Sequence, residues 1–325
     1  MYHHKRQTLS LTNPAAPSST ILVTTPLVSI SGSGAPSQTA SPTTTVPQTE
    51  QTIPPVPDAA NAPPLPTPFP QPYDSTGTNF VTTQTCANFF TNMTQSSAFR
   101  TCRPFSLLEQ FSNDFIEAQE NLTTLNALIY GTCNTDTPLS TCTANMNWFA
   151  SSLTTSCADE LKQKNSQNPV QQTLFGLQSY ELLRNGSCLV NQASNTYCYA
   201  AAAHSSSPAD LYLYQLPLGV PFPVNTTSPS CSTCAKTLLG LYADALQGSD
   251  GSSDGSGDGG SVDGLKATYE DAANQAETAC GTGYALVGLA SSAQGTRIGI
   301  PKMGMGRGMV LALMVWALVE VLVWL

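Results

Sequence analysis

All ten cysteines of this chain fall between Cys86 and Cys280, and that placement constrains the fold more than any other feature. They are Cys86, Cys102, Cys133, Cys142, Cys157, Cys188, Cys198, Cys231, Cys234 and Cys280. The count is even and the segment is of domain size. Disulfides persist in oxidising compartments and are rare in the cytosol. Metal binding is the competing use of cysteine, and zinc sites take paired CxxC motifs or a CxxC with a histidine pair. Only one CxxC occurs, Cys231-Ser232-Thr233-Cys234, and the segment holds a single histidine, His204. We read five disulfides, with no metal and no cofactor; a four-cysteine zinc site is the alternative. N-x-[ST] tripeptides begin at Asn92, Asn121, Asn185 and Asn225, all inside the same segment. They are expected to carry N-linked glycans in a chain that enters the secretory pathway.

Four regions follow from composition. Residues 1–72 hold fifteen of the 24 prolines with many Ser and Thr. Such a stretch buries too little apolar surface to offset the entropy of ordering it, so disorder is expected. Ser and Thr with Pro suggest an O-glycosylated stalk, an unmodified linker being the alternative. Residues 73–285 suffice for one domain with its own core. Residues 286–308 read as a linker, and 309–325 as an apolar tail. Charged residues make up 10% of the chain and the formal net charge is −9, which opposes a nucleic-acid partner because phosphate binding needs clustered Lys and Arg. Lys5 and Arg6 resemble the start of a secretory leader, but the apolar run Ile21-Leu22-Val23 is broken by Thr24, Thr25 and Pro26. We expect the leader in sequence that this N-terminus lacks; otherwise the chain is not secreted.

The domain reads as all-α, a disulfide-stapled bundle of about seven to eight helices. Cys86–Phe99 places Phe89, Phe90 and Met93 on one side, and Ser106-Leu107-Leu108-Glu109 fits a capping box. A helix from Leu122 to Tyr130 is expected to end at Gly131. Between about Ser140 and Lys162, Cys142, Met146, Phe149 and Leu153 form one stripe. Cys133 and Cys142 flank the turn before it and are expected to close it. Asn168-Pro169 opens a helix that runs to Asn185-Gly186. Prolines 217, 221 and 223 make Leu211–Gly219 an extended loop. A helix resumes near Ser230 with Cys231 and Cys234 on its first turn. Cβ atoms at that spacing lie about 5–6 Å apart, against about 3.8 Å in a disulfide, so the two cysteines should bond different partners. Leu265, Tyr269, Ala272, Ala276 and Cys280 share a face, which directs Cys280 to Cys231 or Cys234. Residues 248–264, with Asp250, Asp254, Asp258 and Asp263, lack the residue order of a calcium loop and read as a solvated insertion.

Candidate chemistry is sparse. His204 with Asp210 is the one base–acid pair available to a serine nucleophile, and no G-x-S-x-G elbow is present. The carboxylate pairs Glu117/Glu120, Asp159/Glu160 and Glu270/Asp271 sit at positions expected to face solvent. No catalytic residue is assigned. The seventeen residues from Met309 to Leu325 would span about 25 Å as a helix, short of the roughly 30 Å hydrocarbon core, and include Glu320. Arg297, Lys302 and Arg307 lie on the domain side, and the positive-inside rule would then put the domain in the cytosol. A signal for a glycosylphosphatidylinositol (GPI) anchor resolves the conflict, with attachment at Ser291 or Ser292 and 294–308 as spacer. A tail-anchored membrane protein is the alternative.

Several short motifs recur in a familiar order: Phe99 to Leu108, then Tyr197-Cys198-Tyr199-Ala200, Leu216-Pro217-Leu218-Gly219, and Pro229-Ser230-Cys231-Ser232-Thr233-Cys234. On these the chain resembles an uncharacterised family of fungal cell-surface proteins built on one cysteine-rich domain of unknown function. The resemblance spans about residues 73–285. It implies secretion, a GPI-type tail and no assigned activity. The expected molecule is a non-catalytic surface or cell-wall protein, joined to the membrane by its anchor or tail, with cell-wall polysaccharide as a candidate partner. A secreted hydrolase with an unrecognised site is the alternative.

Overall fold

Short polar caps cut this chain into many short helices. The computed structural model describes residues 46–74, 79–163, 168–206, 209–224, 227–249 and 262–289. In the first half the helices are α1 (Gln84–Gln95), α2 (Ser97–Arg100), α3 (Phe105–Phe111), α4 (Asn113–Ala118), α5 (Leu122–Cys133), α6 (Leu139–Ser156) and α7 (Ala158–Leu161). Then come α8 (Pro169–Gln178), α9 (Tyr180–Ser187), α10 (Cys198–His204), α11 (Ala209–Gln215), α12 (Thr233–Ser249) and α13 (Asp263–Cys280). Strands β1 (Val190–Asn191) and β2 (Thr196–Tyr197) pair antiparallel before α10. The fold is all-α, as expected. The helices outnumber the expected seven to eight because local caps break runs that apolar spacing alone joins. Ser112 Oγ accepts from Phe115 N and separates α3 from α4, and Ser179 lies between α8 and α9.

Two apolar cores share α3. One gathers Phe89, Phe90, Met93, Phe99, Leu107, Met146, Phe149 and Leu153 around α1 and α6. The other holds Phe105, Leu108, Phe115, Tyr199, Tyr214, Leu238, Tyr242 and Tyr269. Cys86–Cys157 and Cys102–Cys142 lie inside the first, and Cys198–Cys234 borders the second. Cys133–Cys188 and Cys231–Cys280 lie nearer the surface. Among the described residues every cysteine is paired.

Several sequence expectations are corrected. Gly131 does not end α5. The helix runs on to Cys133, where Arg184 donates to the helix-end carbonyls of Thr132 (3.2 Å) and Cys133 (2.8 Å). Cys133 therefore meets Cys188 at the end of α9, while Cys142 turns inward to Cys102, and the expected Cys133–Cys142 bond does not form. A Cβ on Gly131 would lie 2.7 Å from the Phe69 ring, so its smallness admits a neighbour rather than a helix stop. Ser106 is no cap: it is buried and donates to Gly176 O at 2.6 Å. Leu211–Gly219 is not extended; α11 runs into a 3-10 turn over Leu216–Leu218, and Gly219 closes it at φ 77°. Cys231 precedes α12 at φ 56° rather than sitting on its first turn. It bonds Cys280, and Cys234 bonds Cys198.

The domain boundaries also move. Residues 46–72, assigned to the stalk, lie against the helices. Gln51 Nε2 donates to Glu120 O and its Oε1 accepts from Leu122 N, while Val56 N donates to Asn195 O. At the other end, Tyr269 donates to Leu286 O, so packing continues past 285. Asp263 and Gly264 belong to α13, not to the Asp-rich loop. Residues 1–45, Asp250, Asp254, Asp258, Asn225, Ser291, Ser292 and the tail from 309 lie outside the described residues. Among those described, no helix is long and apolar enough to cross a membrane.

Candidate functional site

The residues singled out for chemistry do partly converge. Helix α10 ends at His204, and α11 starts five residues later with Asp210 in its first turn. The loop before α12 returns Ser230 and Ser232 to the same place. These four side chains, with Tyr214 and the Cys198–Cys234 disulfide, line a pocket of about 250 Å³. Asp210 is buried, 8% exposed, and its carboxylate takes three hydrogen bonds. Oδ1 accepts from Ser230 N at 2.8 Å; Oδ2 accepts from the Ser230 hydroxyl and, at 3.4 Å, from the Ser232 hydroxyl. Ser232 Oγ in turn accepts from Ala235 N, and Tyr284 donates to Ser232 O.

The chemistry of this arrangement is that of a clamp. A serine nucleophile donates its proton to a base, which a carboxylate orients from the far side. Here Ser230 donates directly to the carboxylate, and among the described residues no hydrogen bond joins His204 to Asp210, Ser230 or Ser232. Asp210 fixes the loop that holds Cys231 in its left-handed conformation and thus aims Cys231 at Cys280 and Cys234 at Cys198. Sequence spacing named His204 and Asp210 but not the two serines, because the link closes across 20 residues through a Pro-containing loop.

The carboxylate pairs stay apart. Glu117, Glu120, Asp159 and Asp271 are exposed. Glu160 is instead buried, and its Oε1 accepts from the backbone N of Thr82 and Thr83 and from both hydroxyls, at 2.8–3.1 Å. Burial pushes its pKa up, but those donors outweigh it and hold the carboxyl at about 2. It is the N-terminal anchor of α1. Cys86, Cys157 and Glu160 are close enough to hold a metal ion, but the two cysteines bond each other and offer no thiolate. Glu270 accepts from Gly288 N, and Glu277 from Gly283 N and Ala285 N, so these two tie down 281–289.

One buried acid was not anticipated. Glu109, read as a cap residue, is 5% exposed beside Phe105, and the hydroxyls of Tyr199, Tyr214 and Tyr242 feel its charge. Burial raises its carboxyl to about 8 against a lowering hydrogen bond with Gln215. In the structure the whole run from Phe105 to Glu109 is buried, which the spacing of apolar residues does not reveal.

A second concavity, of about 500 Å³, lies between α1 and α6 and includes Trp148 and Asn92. Asn92, Asn121 and Asn185 are all exposed. Asn121 Oδ1 caps α5, accepting from Thr123 N and Thr124 N at 3.1 Å each, which leaves its Nδ2 available for modification.

Residues 68–289 match a family described as "Domain of unknown function (DUF7729)". No curated protein and no solved structure matches the chain.

Proposed function

The chain belongs to the DUF7729 family, whose function is unknown, and we propose that it is a non-catalytic surface domain that works outside the cytosol. In this reading it is a fungal glycoprotein, held at the outer face of the plasma membrane or in the cell wall by a lipid that replaces the tail at Ser291 or Ser292. Wall polysaccharide is the partner class. The observation that carries the reading is the complete pairing of ten cysteines, three of the pairs buried. Buried disulfides of this number need an oxidising compartment to form. The Asp210 clamp supports a non-catalytic role, since it uses its hydroxyls to hold a loop.

A secreted hydrolase is the second reading, favoured by the pocket that His204, Asp210 and Ser230 share. One set of measurements on protein from its native host tests both. Thiol labelling of the denatured, unreduced chain should find no free cysteine, and phosphatidylinositol-specific phospholipase C should release the protein from intact cells. Several free thiols, or a mature peptide containing Trp324, would overturn the anchored extracellular reading. Labelling of Ser230 by a fluorophosphonate, abolished by His204→Ala, would establish the hydrolase instead.

A further inference from the structure

Trp148 is the most exposed large apolar side chain among the described residues, at 64%. It stands on α6, edge-on to Phe149 with ring centroids 4.9 Å apart, on the wall of the 500 Å³ groove against α1. The groove floor is apolar, with Phe89, Met93 and Phe149. Its rim is hydroxyl and amide: Asn88, Ser152 and Ser156 among others. No Asp, Glu, Lys or Arg lines it. A flat aromatic face within a neutral rim of donors and acceptors suits a sugar, whose ring carbons present an apolar face while its hydroxyls need hydrogen-bond partners. Asn92, also on the lining, begins the tripeptide Asn92-Met93-Thr94. No hydrogen bond among the described residues engages its side-chain amide.

We infer that this groove seats the N-linked glycan of Asn92, whose first sugars stack on Trp148 and cover the apolar floor. The inference rests on the extracellular reading, since attachment requires the secretory pathway. The sugar chain arrives on a lipid pyrophosphate. The amide nitrogen of Asn92 bonds to C1 of the first N-acetylglucosamine and loses a proton, and the C1–oxygen bond to the pyrophosphate breaks. In the folded chain the Thr94 hydroxyl is already donated to Phe90 O at 2.9 Å, so the tripeptide is read before α1 forms. The tether keeps the glycan at the groove at high local concentration. A free polysaccharide or a second copy of the chain would have to displace it.

The test uses the full chain secreted from a eukaryotic host. Peptide mass mapping should find a glycan on Asn92. Hydroxyl-radical oxidation of Trp148 should be several-fold slower than in Asn92→Gln, and Asn121→Gln should leave that rate unchanged. In Trp148→Ala, endoglycosidase should release the Asn92 glycan from the folded protein several-fold faster, with release at Asn185 unaltered. Equal Trp148 oxidation with and without the glycan overturns the inference. A bare Asn92 beside occupied Asn121 or Asn185 overturns it while the extracellular reading stands. Bare asparagines at all four tripeptides, Asn225 included, overturn both.

Discussion

Glu109 gives the domain an acid preference that its surface charges do not predict. In the unfolded chain the carboxyl releases its proton near 4.5, whereas burial in the fold delays release to about 8. Below pH 4.5 both states hold the proton and the group is neutral toward folding. As pH rises from 4.5 to 8 only the unfolded state gives it up, so stability falls across that window. Glu160 works oppositely, but its contribution is complete above 4.5 and is lost only as the carboxyl protonates toward 2. Thermal midpoints measured from pH 5 to pH 8 should therefore decline, by the equivalent of a few kcal/mol. Glu109→Gln, which removes the titration and keeps the shape, should flatten that slope. A slope unchanged in the variant would place the pH dependence elsewhere. Spacing alone makes Glu109 a cap residue, because Glu three residues after Ser is the capping pattern. What the spacing lacked was the position of α3 between two cores, where even its polar residues are enclosed.

At the scale of elements, legibility followed periodicity. The stripe of Cys142, Met146, Phe149 and Leu153 on α6 and that of Leu265, Tyr269, Ala272 and Ala276 on α13 were readable because each helix has one buried face. Proline forbids a long helix over 216–219, but Pro217 fits the second position of a 3-10 turn that α13 packs upon. That contact is unusually close. A Cβ on Gly264 would lie 2.3 Å from Pro217 O, a backbone atom that cannot swing away, and Thr268 donates to Leu216 O at 2.8 Å. Gly264→Ala should thus destabilise by about 1–3 kcal/mol, an overpacking cost that exceeds the helical gain of alanine. Gly240→Ala on the exposed side of α12 meets nothing within 4 Å and should instead stabilise by up to about 1 kcal/mol. Denaturant unfolding of the pair measures both signs; stabilisation by both substitutions would mean that helix propensity, not the contact with 216–219, decides. The sites at Asn225, Ser291 and Ser292 and the Asp-rich loop rest on sequence alone.

The whole molecule is closed by covalent and non-covalent means at different places. Five disulfides tie the chain between Cys86 and Cys280, but none reaches residues 46–74. That strap holds by other means. Leu65 and Phe69 lie on Gly131, the Arg103 guanidinium stacks on Phe69 at 4.8 Å, and Pro55 O accepts from Asn126. Tyr73 bonds Thr173 at 2.6 Å and stacks on Phe111. A proline-rich segment needs no internal hydrogen bonds, so composition alone cannot distinguish a free stalk from one lying in a groove. The family match begins at residue 68, so most of the strap precedes it. A chain starting at residue 46 should melt like the full chain. One starting at residue 75 should keep its far-ultraviolet helical signal, because the disulfides still hold the helices, yet melt several degrees lower and bind an apolar dye where Phe69 and Tyr73 have left their seats. The strap would be dispensable if both shortened chains melted alike, and the domain would then begin where the disulfides do.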